Sequence, residues 1–261
     1  DKLRQLAQFE LALTRFFEAN LGSRSFGVYA NKCWPAFESA FGFVPCYVNS
    51  RLAARGIPAA CEVDMYGAVS EYIVQCAGQH PVTILDVNNT VPDDIEIPDL
   101  KGAGREDMFM GSHCGNTASC LLCGTPCMKY QLIMNRLMED PSKTPDITAG
   151  TLEGTLCPGP TTLFRLQADL EFDGAMAYLA EGNILDADPA SFGSIGVFGI
   201  PNFQRFYRHV LLERGFPHHA AVGLKHVGRV VFDAMKLLGV EDLSTPKPAG
   251  VPYPTENPFG R

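Results

Sequence analysis

The stretch "GTLEGTLCPGPTTLFRLQADL" (residues 150–170) decides the fold class. Its apolar runs are short and broken by Gly154, Pro158, Gly159 and Pro160. Such runs read as strands joined by turns. "GAMAYLAEGNIL" (174–185) and "SIGVFGI" (194–200) have the same character, which prevails from residue 82 to about residue 200. A sheet-rich, mostly antiparallel, β-barrel-like domain is expected there. Beyond it, "HVGRVVFDAMKLLGV" (226–240) predicts a terminal helix with Val227, Val230, Val231, Ala234, Leu237 and Leu238 on one face. Gly239 is its expected cap. From Thr245 on, prolines at 246, 248, 252, 254 and 258 predict an extended tail lying on a surface, the chain's own or a neighbour's.

Upstream the rhythm differs. Leu3, Leu6, Phe9, Leu13, Phe16 and Phe17 predict a helix over 2–20, ended by Gly22. "SFGVYA" (25–30) reads as a short buried strand, and "KCWP" as a loop whose Pro35 opens another helical stretch. Val69, Ile73 and Cys76 predict a helix over 67–77 with Gly78 as its stop. The expectation is an α/β protein in two regions. Residues 1–80 form the end of a Rossmann-like doubly wound domain, and 81–261 form the β-rich domain with its helix and proline-rich tail.

Composition narrows the function. With 46% hydrophobic and 19% charged residues, the 261-residue chain can build a core and is not disordered. A net charge of −8 leaves no basic surplus for nucleic acid or an anionic membrane surface. No apolar run approaches the roughly 20 residues needed to cross a bilayer, and no signal peptide precedes the first helix. Nine cysteines, an odd number, predict reduced thiols in a cytoplasm and not a secreted disulfide framework.

Three groups of residues could carry chemistry. Glu62 and Asp64 precede a helix, and Asp86 ends the apolar run "VTILD". Asp64 reads best as a helix cap. Asp86 stands at the carboxyl end of a buried strand, where α/β proteins build sites. The second group is histidine: "GSHCGN" puts His113 in a Gly-flanked turn, and "HH" puts His218 and His219 in a loop. Neighbours on an extended segment point to opposite sides, so at most one of that pair should reach a given ion. The third group is "CGNTASCLLCGTPC", whose Cys114, Cys120, Cys123 and Cys127 read either as free thiols or as a zinc or iron–sulfur site. Glu153 and Arg165 suggest a cross-strand ion pair. Lys32 and Trp34 pair a cation with an aromatic face, which suits a sugar ring or ordinary packing.

"CEVDMYGAV" (61–69), "ILDVNN" (84–89) and "HHAAVGLKHVG" (218–228), followed by the amphipathic helix, resemble the C-terminal half of the L-fucose isomerase family, to which L-arabinose isomerases are related. The resemblance runs from Trp34 to about Val240. It implies an aldose–ketose isomerase of the L-fucose/L-fuculose type working through an ene-diol. It also implies that Glu62, Asp86 and His219 bind one divalent cation, Mn2+ or another such as Mg2+, with Glu62 and Asp86 also shuttling protons. Lys32, Trp34, His113, Asn116 and His218 are the candidate sugar contacts, His113 alternatively an auxiliary ligand as in the arabinose type. Where fucose isomerases have Asn before the metal histidine, this chain has His218. The family further implies a cytoplasmic homo-oligomer, a trimer or hexamer, and substrate-recognition regions ahead of this segment, so the chain alone should turn sugar over weakly. The alternatives are L-arabinose specificity, a non-catalytic sugar- or protein-binding domain, and a thiol–metal protein built on Cys114 to Cys127.

Overall fold

The computed structural model describes residues 1–88, 90–137, 140, 142, 146–169 and 174–256. The N-terminal region contains helices α1 (Lys2–Asn20), α2 (Ala36–Phe41), α3 (Cys46–Ala54) and α4 (Met65–Gly78), with two-residue strands β1 (Tyr29–Ala30) and β2 (Ala59–Ala60). β1 and β2 pair in parallel, Tyr29 with Ala59 and Ala30 with Ala60. Among the described residues this pair is all the parallel sheet that residues 1–80 form. "SFGVYA" is thus a strand only at its end, because the partner offers two residues. Leu6 and Leu13 of α1 pack with Phe43, Val48, Leu52 and Ala59, while Leu3 and Phe16 of the expected stripe stay exposed.

The remaining strands build one large, mostly antiparallel sheet. They are β3 (Val82–Val87), β4 (Met108–His113), β5 (Leu122–Tyr130), β6 (Ala149–Leu156), β7 (Gly159–Asp169), β8 (Gly174–Leu185), β9 (Ser194–Gly199), β10 (His219–Gly223) and β11 (Asp242–Ser244). Their order is β11-β8-β7-β10-β3-β4-β9-β6-β5. β8 also pairs with β9, Ile184 opposite Phe198. That pairing makes a hydrogen-bonded circuit of β8, β7, β10, β3, β4 and β9.

Period-two alternation splits these strands between two cores. Leu85, Leu163, Tyr178 and Ala220 join one core with Phe109, Phe198, Phe203 and Phe206. Their neighbours Phe164, Ala177, Leu179 and Ala221 join the other, covered by Val74 of α4 and by Val231 and Met235 of α7 (Gly228–Leu237). On α7 the buried stripe is Val227, Val231 and Met235, at i, i+4 and i+8. Val230, Leu237 and Leu238, expected on that face, are exposed. α7 is also not the last element, since β11 follows it. α4 starts at Met65 and is closed by Gln79 at φ 50°, one residue past the expected glycine stop.

The tail lies on its own chain. Arg205, in helix α6 (Phe203–Phe206), donates to both carboxylate oxygens of Glu256 at 2.7 Å, and Tyr253 is buried. Pro258 lies outside the described residues. No helix among the described residues is long and apolar enough to cross a membrane.

Candidate active site

The strand register makes the site. β10 runs antiparallel to β3, with His219 directly opposite Asp86. Side chains of such cross-strand partners share one face of the sheet. β3 in turn pairs with β4, whose last residue is His113; its ring lies 5.4 Å from that of His219. Strand pairing alone therefore gathers one carboxylate and two imidazoles.

Glu62 arrives by a different route. Asn31, just after β1, accepts the Val63 N–H at 2.9 Å and donates its side chain to Asn49 at 2.7 Å inside the core. The turn so pinned holds Glu62 at φ 61° and Val63 at φ 59°. A left-handed β-branched residue is a steric outlier, and such positions cost about 1–3 kcal/mol each. The strained turn leads into α4, where Asp64 accepts the Gly67 N–H at 2.8 Å as the expected cap. A Cβ at Gly67 would collide with the Asp64 carboxylate and Ile84, so glycine permits this close approach of helix to strand.

His219 connects these parts. Its Nδ1 is 2.8 Å from Asp64 Oδ2. Its Nε2 is 3.2 Å from Asp86 Oδ1 and 3.6 Å from Glu62 Oε2. Arg165 on β7 forks both Asp64 oxygens, with Nη2 2.8 Å from Oδ1 and Nη1 closer still to Oδ2. Asp64 is thus both a helix cap and the anchor of His219. The expected Glu153–Arg165 pair does not form, because Arg165 on β7 is taken up by Asp64 while Glu153 sits on β6 opposite Cys127.

The electrostatics follow. Burial resists ionisation of Asp64, but hydrogen bonds from His219 and Arg165 outweigh it and hold its pKa well below the usual carboxylate range. Burial likewise opposes Asp86, and the close imidazole of His219 with the nearby His113 and His218 lowers its pKa nonetheless. For His219, burial favours the neutral ring, yet the hydrogen bond to Asp64 and the close Asp86 carboxylate raise its pKa to about 9. Burial lowers the pKa of His113. The His113 Nδ1 accepts the Cys114 N–H at 2.9 Å, which puts the proton of the neutral ring on Nε2.

Asp86 Oδ1 and His219 Nε2 are buried and have no hydrogen-bond partner among the described residues. With Asp64 receiving the Nδ1 proton, the Nε2 lone pair can face an ion, the arrangement by which carboxylates orient metal-bound histidines. Two sets of ligand atoms lie close enough to share a cation, Asp86–His113–His219 and Glu62–His218–His219. Neither set contains both Glu62 and Asp86, so the expected trio meets only at His219; each set by itself offers oxygen and nitrogen donors that fit a divalent cation. In such a shell Nε2 of His219 would exchange its proton for the ion.

Both histidines of the "HH" pair approach the same carboxylate, contrary to expectation: His218 Nε2 lies 3.3 Å from Asp86 Oδ1. His218 precedes β10 and so escapes the strand's alternation. His113 ends a strand and is buried, not placed in the turn. A cavity of about 120 Å³ adjoins these groups, lined by Trp34, Glu62, Asp86 and His113 together with Glu38 and Gln131. Lys32 is exposed and does not line this cavity. Asn116 is buried, also away from its walls. The thiol expectation is corrected: Cys123 is bonded to Cys157, and the exposed Cys120 and Cys127 join no cation-sized cluster among the described residues. Sequence reasoning missed Arg165 and Glu38. A lone cation in an otherwise apolar strand was the available signal for the first.

A family model described as L-fucose isomerase, C-terminal domain, matches residues 111–244. The chain belongs to this family. The match contains His113, His218 and His219, whereas Glu62, Asp64 and Asp86 precede it. Over 225 residues the chain is 27% identical to a sulfoquinovose isomerase of Alkalicoccus urumqiensis, covering 84% of this chain and 44% of that protein. It is 21% identical over 243 residues to a sulfoquinovose isomerase of Priestia megaterium, covering 92% and 48%. A shorter match to a sulfoquinovose isomerase of a Clostridium strain is 33% identical over 85 residues, 30% of this chain and 19% of that protein. The chain spans about half the length of the curated relatives it matches along most of its own length.

Proposed function

We propose that the protein carrying this chain is a divalent-cation-dependent aldose–ketose isomerase centred on Glu62, Asp86 and His219. The observation that carries the reading is the pair of buried, unpartnered atoms Asp86 Oδ1 and His219 Nε2, 3.2 Å apart. Mixed oxygen and nitrogen donors suit manganese, or magnesium, better than a thiolate-bound zinc. When bound, such a cation supplies Lewis-acid stabilisation of the charge that develops on neighbouring sugar oxygens.

The chain's own residues do the remaining work. Isomerisation moves hydrogen from C2 to C1 and from O2 to O1 through an ene-diol. Glu62 and Asp86 each approach His219 Nε2 from a separate element, so one carboxylate can take a proton while the other holds or returns one. Asp64 and Arg165 keep the His219 ring fixed during both transfers. His113, with its proton on Nε2, offers a hydrogen bond to a sugar oxygen. Trp34 and His218 lie at the rim as further sugar contacts. The names of the relatives make sulfoquinovose the first aldose to try, with L-fucose and L-arabinose next. The family resemblance carries a homo-oligomer, a trimer or hexamer, which light scattering tests.

The cavity is smaller than the roughly 300–1,000 Å³ of pockets that enclose small ligands, so it holds the reacting end of a sugar and leaves the rest uncovered. The isolated chain is therefore expected to bind manganese yet convert sugar slowly, since imperfect positioning costs rate steeply. Manganese binding by electron paramagnetic resonance and aldose-to-ketose conversion of the three sugars test the proposal. Asp86→Asn should lose both. Unchanged manganese binding in that variant would overturn the reading.

A further inference from the structure

Glu38 is a buried acid with no assigned task. It lies on α2, directly after the Trp34–Pro35 segment, and is 1% exposed. It nevertheless lines the cavity that Asp86, Glu62 and His113 share. Its Oε2 is buried and has no hydrogen-bond partner among the described residues. No basic side chain pairs with it among the ion pairs of the described residues. The cavity wall also holds Val44, Ile133, Gln131 and the cysteines Cys33, Cys46 and Cys114. Burial in these surroundings raises its pKa, and a hydrogen bond to its own amide only partly offsets this.

Leaving a buried polar atom unpaired destabilises a fold. A fold that only needed to fill this space would use an apolar residue of similar volume. A neutral carboxyl facing a cavity can instead give its O–H to a ligand oxygen and accept from a ligand O–H. That is the chemistry of a polyol, and it avoids setting a third full negative charge beside Glu62 and Asp86.

We infer that Glu38 is a substrate-positioning residue, whose carboxyl hydrogen-bonds one hydroxyl of the bound aldose in the cavity of Asp86 and His113. The inference rests on the isomerase reading above. It assigns Glu38 no role in proton transfer and none in holding the cation.

The test uses the full chain loaded with manganese, in the longest form that turns over. The probes are sulfoquinovose, L-fucose and L-arabinose, followed by monodeoxy analogues of whichever binds. Glu38→Leu should raise KM, or the Kd for the sugar, by about 10- to 100-fold. Its manganese affinity should stay within about twofold and its kcat within about threefold, and Glu38→Gln should recover most of the loss. With the wild type, one deoxy position should carry a large penalty that vanishes in Glu38→Leu. Should Glu38→Leu not fold, Glu38→Gln carries the test, its penalty changing at that one position and nowhere else. Sugar binding in Glu38→Leu equal to wild type, or equal deoxy penalties at every position, overturns the inference while leaving the isomerase reading intact. If none of the three sugars binds the manganese-loaded wild type, the isomerase reading falls and takes this inference with it.

Discussion

Two regions of the molecule are rich in potential metal donors, and they use them in opposite ways. At the β3–β10 end, Asp86, His113 and His219 lie close enough to share an ion, and His218 reaches the same Asp86 carboxylate. In the β5–β6 hairpin, Cys120, Cys123 and Cys127 lie close in sequence, yet Cys123 is bonded to Cys157 and the other two face outwards. The first region's donors come from distant segments and converge through strand register. The second region's come from nearby residues and diverge, because Cys120 precedes β5 and a register shift separates Cys123 from Cys127 along it. Donor density along the chain is thus a poor guide to convergence in space.

The sharpest test of this contrast removes a donor from each region. His219→Ala should weaken manganese binding by at least about 100-fold, since it removes the proposed ligand that Asp64 orients. Cys120→Ser and Cys127→Ser should leave titration by calorimetry unchanged. A thiol variant that lost the metal would reverse the assignment of the two regions.

Next in size is the support behind the ring. Arg165→Met leaves the buried Asp64 carboxylate without its fork, and breaking a buried pair costs about 3–5 kcal/mol of stability. Denaturant melts should register that loss. Manganese affinity should fall by about 10- to 100-fold as His219 loses its fixed anchor. A destabilised variant with unaltered affinity would mean that Asp64 positions the helix and not the histidine.

The hairpin should respond in the other coordinate. Cys157→Ser opens a cross-link of sequence separation 34, and loop closure of this order is worth about 3–4 kcal/mol. Thermal unfolding should show the loss while manganese affinity holds. Thiol counting on the denatured wild type without reductant should also find two fewer free thiols than the nine cysteines of the sequence.

The smallest expected effect concerns the tail, far from both regions. The hydrogen bonds from Arg205 and from the Tyr253 amide lower the Glu256 pKa to about 2. A depressed carboxylate stabilises the fold above its unfolded pKa and loses that contribution as pH falls through the folded value. Tail protection in hydrogen exchange over residues 245–256 should therefore be full at pH 6 and decline between about pH 4.5 and pH 2. Arg205→Met should abolish the acid step. An identical pH profile in that variant would refute the clasp.

Much of this was legible in the sequence. The strands of 82–200 were readable from short apolar runs between Gly and Pro, and α1, α4 and α7 from helical spacing. Glu62, Asp86 and His219 were readable as a set only through family resemblance, since each is unremarkable in its own window. What stayed hidden were pairings across long separations. Arg165 looked like a partner for Glu153 because both sit on strand-like runs, but register sends it to Asp64. The Cys123–Cys157 bond was invisible for the same reason. Val230, Leu237 and Leu238 fit a helical stripe as well as Val231 does, and only the neighbouring α4 decides which of them is covered. Glu38 gave no signal, because nothing local distinguishes a buried acid from one on a solvated helix.

The bond between His219 and Asp64 spans 155 residues of chain, and the fork from Arg165 to Asp64 spans 101. Closing such loops costs entropy before any contact rewards it, so sheets assembled this way form slowly. The unfolded chain has no preformed cage, only scattered carboxylates and imidazoles. A cation that prefers the assembled state adds its binding free energy to the native side alone. Manganese should accordingly slow unfolding much more than it speeds refolding, because the ion has little to hold until β10 has docked beside β3.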